Sequence, residues 1–273
     1  MLAGVSKTAI LTLRARVEEQ HREDRTFEDP QALAWWSHVA WPPELDRWYG
    51  EDTQRSLALR AADIDHIVRR YAEAAGSLAV TELGCGFSTR RTRLAELPLT
   101  AWFDVDLPPV AELRRAWGAG GVQLGASVLD LDAWLEPVAA APGAHLIIAE
   151  GLLYYLPRAD VTRLMRALAQ RLPGAAFLMD VVGRNDAPVL AHRAEAVGSP
   201  IAWTFTGDYD DVLAHFELGE VPRFEPDRLM QDMLTRYWAR LDRKTRGLVY
   251  FAMHQPLVWS GRSGMVLGRL GGA

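Results

Sequence analysis

The residues most able to do chemistry begin with Glu82-Leu83-Gly84-Cys85-Gly86, which ends an apolar run. Two glycines one residue apart let a chain turn sharply and let a ligand lie against bare backbone. Asp106 follows twenty-two residues after Gly84. An acid about 20 residues beyond such a turn is placed to hold ribose hydroxyls, because one carboxylate can accept from both hydroxyls of a diol. Asp104 lies two residues earlier on the same strand face and could serve as well. The competing reading of Asp106 is a helix N-cap ahead of Pro108.

Two later pieces extend the pattern. Asp130-Leu131 follows a third apolar run. Its carboxylate can accept from an adenine amino group while its apolar neighbour holds the ring, or it can cap the next helix. Glu150 closes a fourth run and precedes Tyr154 and Tyr155. An acid beside aromatic rings suits a cation that is also apolar. The implied ligand carries a ribose, an adenine and a positive centre, with nothing that marks a pyrophosphate cradle. S-adenosylmethionine has that inventory. A nicotinamide dinucleotide calls for a third glycine where Thr89 stands, and no Tyr-x-x-x-Lys occurs.

Five short apolar runs must position these groups: residues 78–83, 101–106, 122–127, 145–150 and 175–182. Helical segments alternate with them. Between the last two, Val161, Leu164, Met165, Leu168 and Leu172 recur at helical spacing, from a start at Pro157 or Asp160 to a stop at Pro173-Gly174. The alternation predicts an α/β fold, a mostly parallel sheet with helices on both faces and ligands at the carboxyl ends of the strands. Residues 1–75 read as helical. A helix over 53–75 is expected to bury Leu57, Leu59, Ile64, Ile67 and Val68, after a tryptophan-rich patch of Trp35, Trp36, Trp41 and Trp48. In the tail, 249–251 and 264–270 are expected as late antiparallel strands.

Composition narrows the class of partner. The 273 residues carry 30 Lys plus Arg against 35 Asp plus Glu, a net charge of −5 that argues against nucleic acid. One cysteine, Cys85, permits no internal disulfide or thiolate metal cluster. No apolar stretch reads as a leader or a bilayer span, so a soluble cytoplasmic protein acting on a small molecule is expected. The oligomeric state has no sequence signal.

The segments ELGCGFSTRRTRL, FDVDLPPVAELRR and AEGLLYYLP, in this order and with these gaps, resemble the leucine carboxyl methyltransferase family. Within it they are most similar to the bacterial polyketide O-methyltransferases of the tetracenomycin type. The likeness spans about residues 5–185 and fades in the tail. It implies a class I, Rossmann-like methyltransferase fold, S-adenosylmethionine as donor and S-adenosylhomocysteine as product. On this resemblance Gly84 and Gly86 match the turn beside the methionine part, and Asp106 the ribose acid. Asp130 and Leu131 match the adenine contacts, Glu150 the acid after the fourth strand, and Tyr155 an aromatic near the donor. Arg60 and Lys7 match cations for the donor's carboxylate, a role that a bidentate Arg fills well. Ser88 departs from the family's aspartate, a missing charge for which Glu82 or Glu150 can compensate. The chain is then one domain, with a helical arm at 1–75, a donor core at 76–182 and a substrate cap with late strands at 183–273.

Methyl transfer from a sulfonium asks mainly for alignment, which can supply roughly 7–11 kcal/mol in favourable cases. A carboxylate acceptor is already ionised at neutral pH, whereas a phenol needs a base. None of the seven histidines stands in a His–Asp signature, His145 reads as structural, and no metal motif occurs. A carboxylate of a small aromatic or polyketide-like molecule is therefore the expected acceptor, with no catalytic residue assigned. A phenolic hydroxyl and a non-catalytic binding role are the alternatives. Trp203, Tyr209 and Trp259 are the expected acceptor contacts, from a wider set with Trp35, Trp36, Trp41, Tyr237 and Trp238.

Overall fold

A computed structural model of the chain describes residues 4–183, 186–196, 198–202 and 264–271. Its strands are β1 (Leu78–Leu83), β2 (Leu99–Asp106), β3 (Val122–Gly125), β4 (Ala144–Ala149), β5 (Ala176–Val181) and β6 (Gly264–Arg269). They form one sheet in the order β3-β2-β1-β4-β5-β6. Neighbours are parallel up to β5, and β6 runs antiparallel to β5. The helices are α1 (Thr8–Gln20), α2 (Pro30–Trp36), α3 (Glu51–Ala75), α4 (Arg90–Arg93), α5 (Pro108–Ala116), α6 (Leu135–Ala139), α7 (Arg158–Arg171) and α8 (Ala187–Ala196). The expected strand at 249–251 lies outside the described residues; that at 264–270 is β6.

β1 is buried at every residue and shows no alternation, as a central parallel strand covered on both faces should; Thr81 and Glu82 are its polar residues. Side-chain alternation divides the core into two layers. Phe177 and Met179 of β5 pack with Val161, Leu164, Met165, Leu168 and Leu172, the helical stripe read from sequence. Ala176 and Leu178 point the other way and pack with Ile64, Ile67 and Val68 of α3. The expectation for α3 needs one correction. Leu57 and Leu59 are only partly covered, and Ala58, Ala61 and Ala62 are the buried residues. α3 packs along α1. The helix ends at Gly76, whose φ of +66° suits the left-handed C-terminal turn.

A third cluster joins α1, α2 and the start of α3 to α5 and to Phe87 in the turn after β1. Trp35 is 2% exposed, stands edge-on to Phe87 and donates from Nε1 to the Trp117 carbonyl at 2.8 Å. It is a core residue, not a platform for an acceptor. Trp36 and Trp41 are partly covered, and the Arg14 guanidinium lies 4.2 Å from the Trp41 ring. No helix of the described residues is long and apolar enough to cross a membrane.

Because β1 has β2 on one side and β4 on the other, the chain reverses its winding direction between them. Such a switch point opens a crevice at the carboxyl ends of the strands.

Candidate active site

A cavity of about 740 Å³ occupies that crevice. The sheet supplies its floor through Glu82, Gly84, Gly86, Asp106, Glu150 and Asp180, and α1, α3 and Tyr155 supply its sides.

On the β1–β2 side, the floor is mostly backbone. Gly84 and Gly86 have φ of +61° and +51°. A Cβ at Gly84 would come within 2.8 Å of the Leu152 side chain, and one at Gly86 within 2.9 Å of Ala9 Cβ. Both positions therefore need glycine for conformation and for space. The Gly86 amide donates to Asp106 Oδ2 at 2.7 Å, and the Leu107 amide donates to Oδ1 at 2.7 Å. Each oxygen retains acceptor capacity. Burial pushes the Asp106 carboxyl up, and the two amides oppose the shift.

Asp104 shares that strand face but has other partners. It accepts from Arg114 Nη2 at 2.6 Å, Gln123 Nε2 at 2.6 Å and Trp102 Nε1 at 3.0 Å. Arg114 in turn donates to the carbonyls of Gly86 and Ser88 at 3.0 and 2.6 Å. Asp104 thus braces the glycine turn through Arg114, and only Asp106 of the two faces the cavity.

On the β4–β5 side, the floor is an ion-pair lattice. Glu150 accepts from Arg60 Nε and from Arg90 Nη2, each at 2.8 Å. Arg90 also donates to Asp65 at 2.8 Å and to Glu82. Arg93 donates to Asp65 at 2.7 and 2.9 Å and to Asp29 at 3.0 Å. Arg60 Nη1 reaches Asp180 at 3.0 Å. Burial raises the Glu150 carboxyl, but Arg60, Arg90 and Arg16 outweigh it and hold the group down at about 2. Burial, with the nearby Asp180 charge, lifts the Tyr155 phenol to about 12, so it stays neutral.

Ser88, where the sequence departs from its resemblance, donates to Glu82 Oε2 at 2.9 Å. An ionised aspartate could not donate that bond, so the serine orients Glu82.

Of the residues singled out from sequence, Arg60, Glu82, Gly84, Gly86, Asp106, Glu150 and Tyr155 meet in this one cavity. Lys7, Asp130 and Leu131 do not line it, nor do Asp104, Trp35, Trp36 and Trp41. Lys7 Nζ is 2.7 Å from Glu44 on the arm. Asp130 opens a short 3-10 turn that contains Leu131, while Ala126, Ser127 and Val128 provide the wall there. Trp203, Tyr209, Tyr237, Trp238 and Trp259 lie outside the described residues. Sequence reading missed Arg90 and Asp180. Arg90 lay in plain view inside the motif STRRTRL, and Asp180 interrupts the fifth apolar run two residues after Leu178. Their roles depend on partners far away in the chain.

Comparisons with known proteins identify the family and the fold. The family model for leucine carboxyl methyltransferase matches residues 9–169. The chain is 32% identical over 184 residues to the tetracenomycin polyketide synthesis O-methyltransferase TcmP of Streptomyces glaucescens, which covers 66% of this chain and 67% of that protein. It is 32% identical over 217 residues to SCO6443 of Streptomyces coelicolor, assigned as an S-adenosyl-L-methionine-dependent methyltransferase, with coverage of 70% and 69%. Among solved structures, the plantazolicin methyltransferase BamL in complex with a triazolic desmethylPZN analogue and SAH superposes with a TM-score of 0.55. It is 11% identical, and the match covers 98% of this chain and 100% of that one, a likeness of fold. With the family model matching more than half of its length, this chain belongs to the leucine carboxyl methyltransferase family and has the α/β fold of class I methyltransferases.

Proposed function

We propose that this enzyme moves a methyl group from S-adenosylmethionine to an oxygen of a small aromatic or polyketide-like molecule, with a carboxylate as the acceptor. The observation that carries the reading is the closure of the Gly86 amide on Asp106 in a cavity that also contains Glu150 and Tyr155.

The residues present fit the donor. Asp106 has acceptor capacity left on both oxygens for a ribose diol, and Gly84 and Gly86 keep side chains off the floor. Glu150 stays ionised throughout the physiological range and can meet a positive centre. Arg60, one of four arginines lining the cavity, is proposed to meet the donor's carboxylate. When bound, S-adenosylmethionine supplies a methyl group activated by its sulfonium. The chain's own work is to orient and to exclude water, the contribution expected of an in-line displacement. Lys7, Asp130 and Leu131 complete the proposed donor contacts if the arm and the loop after β3 draw in on binding.

The acceptor class rests on the family and on the TcmP relative. Trp203, Tyr209 and Trp259 are proposed to hold it. The net charge of −5 favours a small-molecule partner over nucleic acid. The test is calorimetry with S-adenosylmethionine, S-adenosylhomocysteine and NAD, followed by turnover on matched aromatic acids and phenols read by gain of one methyl group in mass. Binding of NAD alone overturns the donor. Methylated phenols without methylated acids replace the carboxylate by a hydroxyl acceptor, and donor binding without any turnover favours a binding role.

A further inference from the structure

Asp180 occupies the end of β5, one strand beyond the acid read from sequence. Alternation along β5 decides where it points. Ala176 and Leu178 pack on the α3 layer with Ile64, so Asp180, two residues further, faces the same layer. Arg60 lies one helical turn before Ile64 on α3 and is carried to the same place. The contact is made: Arg60 Nη1 to Asp180 Oδ2 is 3.0 Å. The other oxygen, Oδ1, accepts from the Gly151 amide at 2.7 Å. Gly151 has φ of +67°, and a Cβ there would lie 3.6 Å from Arg60 Nη2. One buried carboxylate therefore fixes two things at once, the Arg60 guanidinium and the turn that follows Glu150. All four residues line the cavity.

We infer that Asp180 is a positioning residue for the amino-acid end of the donor, acting through Arg60 and the Gly151 turn. This rests on the proposed donor. Without Asp180, Arg60 would keep Glu150 and Tyr154 as partners but lose its tie to β5, and the turn would lose its anchor. The adenosine end is met on the β1–β2 side, where Asp180 has no contact, so its effect should be confined to one half of the ligand.

The experiment compares two probes in calorimetry on the full chain: S-adenosylhomocysteine, which has the amino-acid end, and 5′-methylthioadenosine, which lacks it. Asp180→Asn keeps the shape and an acceptor for the Gly151 amide. It should weaken S-adenosylhomocysteine about tenfold or more, the scale of a lost charged hydrogen bond, and leave methylthioadenosine within about twofold. In an Arg60→Gln background the same change should add little, since the two act as one unit. Equal loss on both probes, no loss on either, or full additivity with Arg60→Gln overturns the inference. Failure of the unaltered protein to bind either probe overturns the donor reading instead. If Asp180→Asn does not fold, Asp180→Glu with the same two probes decides: selective loss on the longer ligand supports the role, and unselective loss refutes it.

Discussion

The two sides of the cavity are built on different physics. On the β1–β2 side, one carboxylate closes on two backbone amides within a glycine turn. Every part of it is local or one strand away. On the β4–β5 side, Glu82, Glu150, Asp180 and Asp65 are tied by Arg60, Arg90 and Arg93 from α3 and α4. Here charges are buried against charges, and removing one strands several others. Asp106 on the first side can be altered with the fold intact, while the buried centre of the second, around Arg90, should fail as a structure before it fails as a binding site.

The largest expected effect sharpens that contrast. Arg90 is 1% exposed and holds three carboxylates. Arg90→Met should cost roughly 3–5 kcal/mol in urea unfolding, because it leaves buried charge uncompensated. A loss under about 1 kcal/mol would show that water reaches the lattice and that the two sides differ less than argued.

Acid should act on the same side. The Glu150 carboxyl titrates at about 2 in the folded chain against an ordinary 4.5. A depressed carboxyl contributes stability that is complete above the unfolded value and is lost as pH falls through the folded one. That contribution is of order 3 kcal/mol and should disappear between about 4.5 and about 2. Unfolding curves across that window should fall less steeply for Glu150→Gln than for the unaltered chain; parallel curves would remove Glu150 from the account.

The β1–β2 side should respond in binding. Asp106→Ala is expected to weaken the donor by about 1.5–3 kcal/mol, the worth of hydrogen bonds to a charged group, with a melting temperature close to that of the parent. Unchanged affinity would mean that another acid meets the ribose. Asp104→Asn offers the internal contrast, since Asp104 reaches the cavity only through Arg114 and the glycine turn. It should cost stability before affinity.

The smallest effect belongs to the arm. Lys7 and Glu44 form a partly exposed pair. Glu44→Gln should leave the melting temperature unchanged within error, as exposed pairs contribute little. If it tightens donor binding, Lys7 is released to the cavity as the resemblance implies.

Much of the fold was legible because its signals are short in sequence. The strands of the central sheet appear as apolar runs, and the α7 stripe from Val161 to Leu172 matches its buried face. Gly84, Gly86 and Asp106 could be read because a turn and an acid at a fixed interval carry their own geometry. The choice between Asp104 and Asp106 could not be read. Both lie on one strand face, and Arg114, Gln123 and Trp102 determine which is occupied. Trp35 was open to either role until its neighbours Phe87 and Trp117 were seen. Arg90 and Asp180 carried no signal, since an arginine among arginines and an acid at a strand end are ordinary until partnered.

The sequence by itself determined the alternation of strand and helix, the glycine turn and the acid that answers it, because backbone conformation and side-chain periodicity act over a few residues. Only the tertiary structure decided which charges face one another. Arg60 meets Glu150 and Asp180 across separations of 90 and 120 residues. No local rule encodes such a meeting; it follows from packing α3 on the layer where β4 and β5 end.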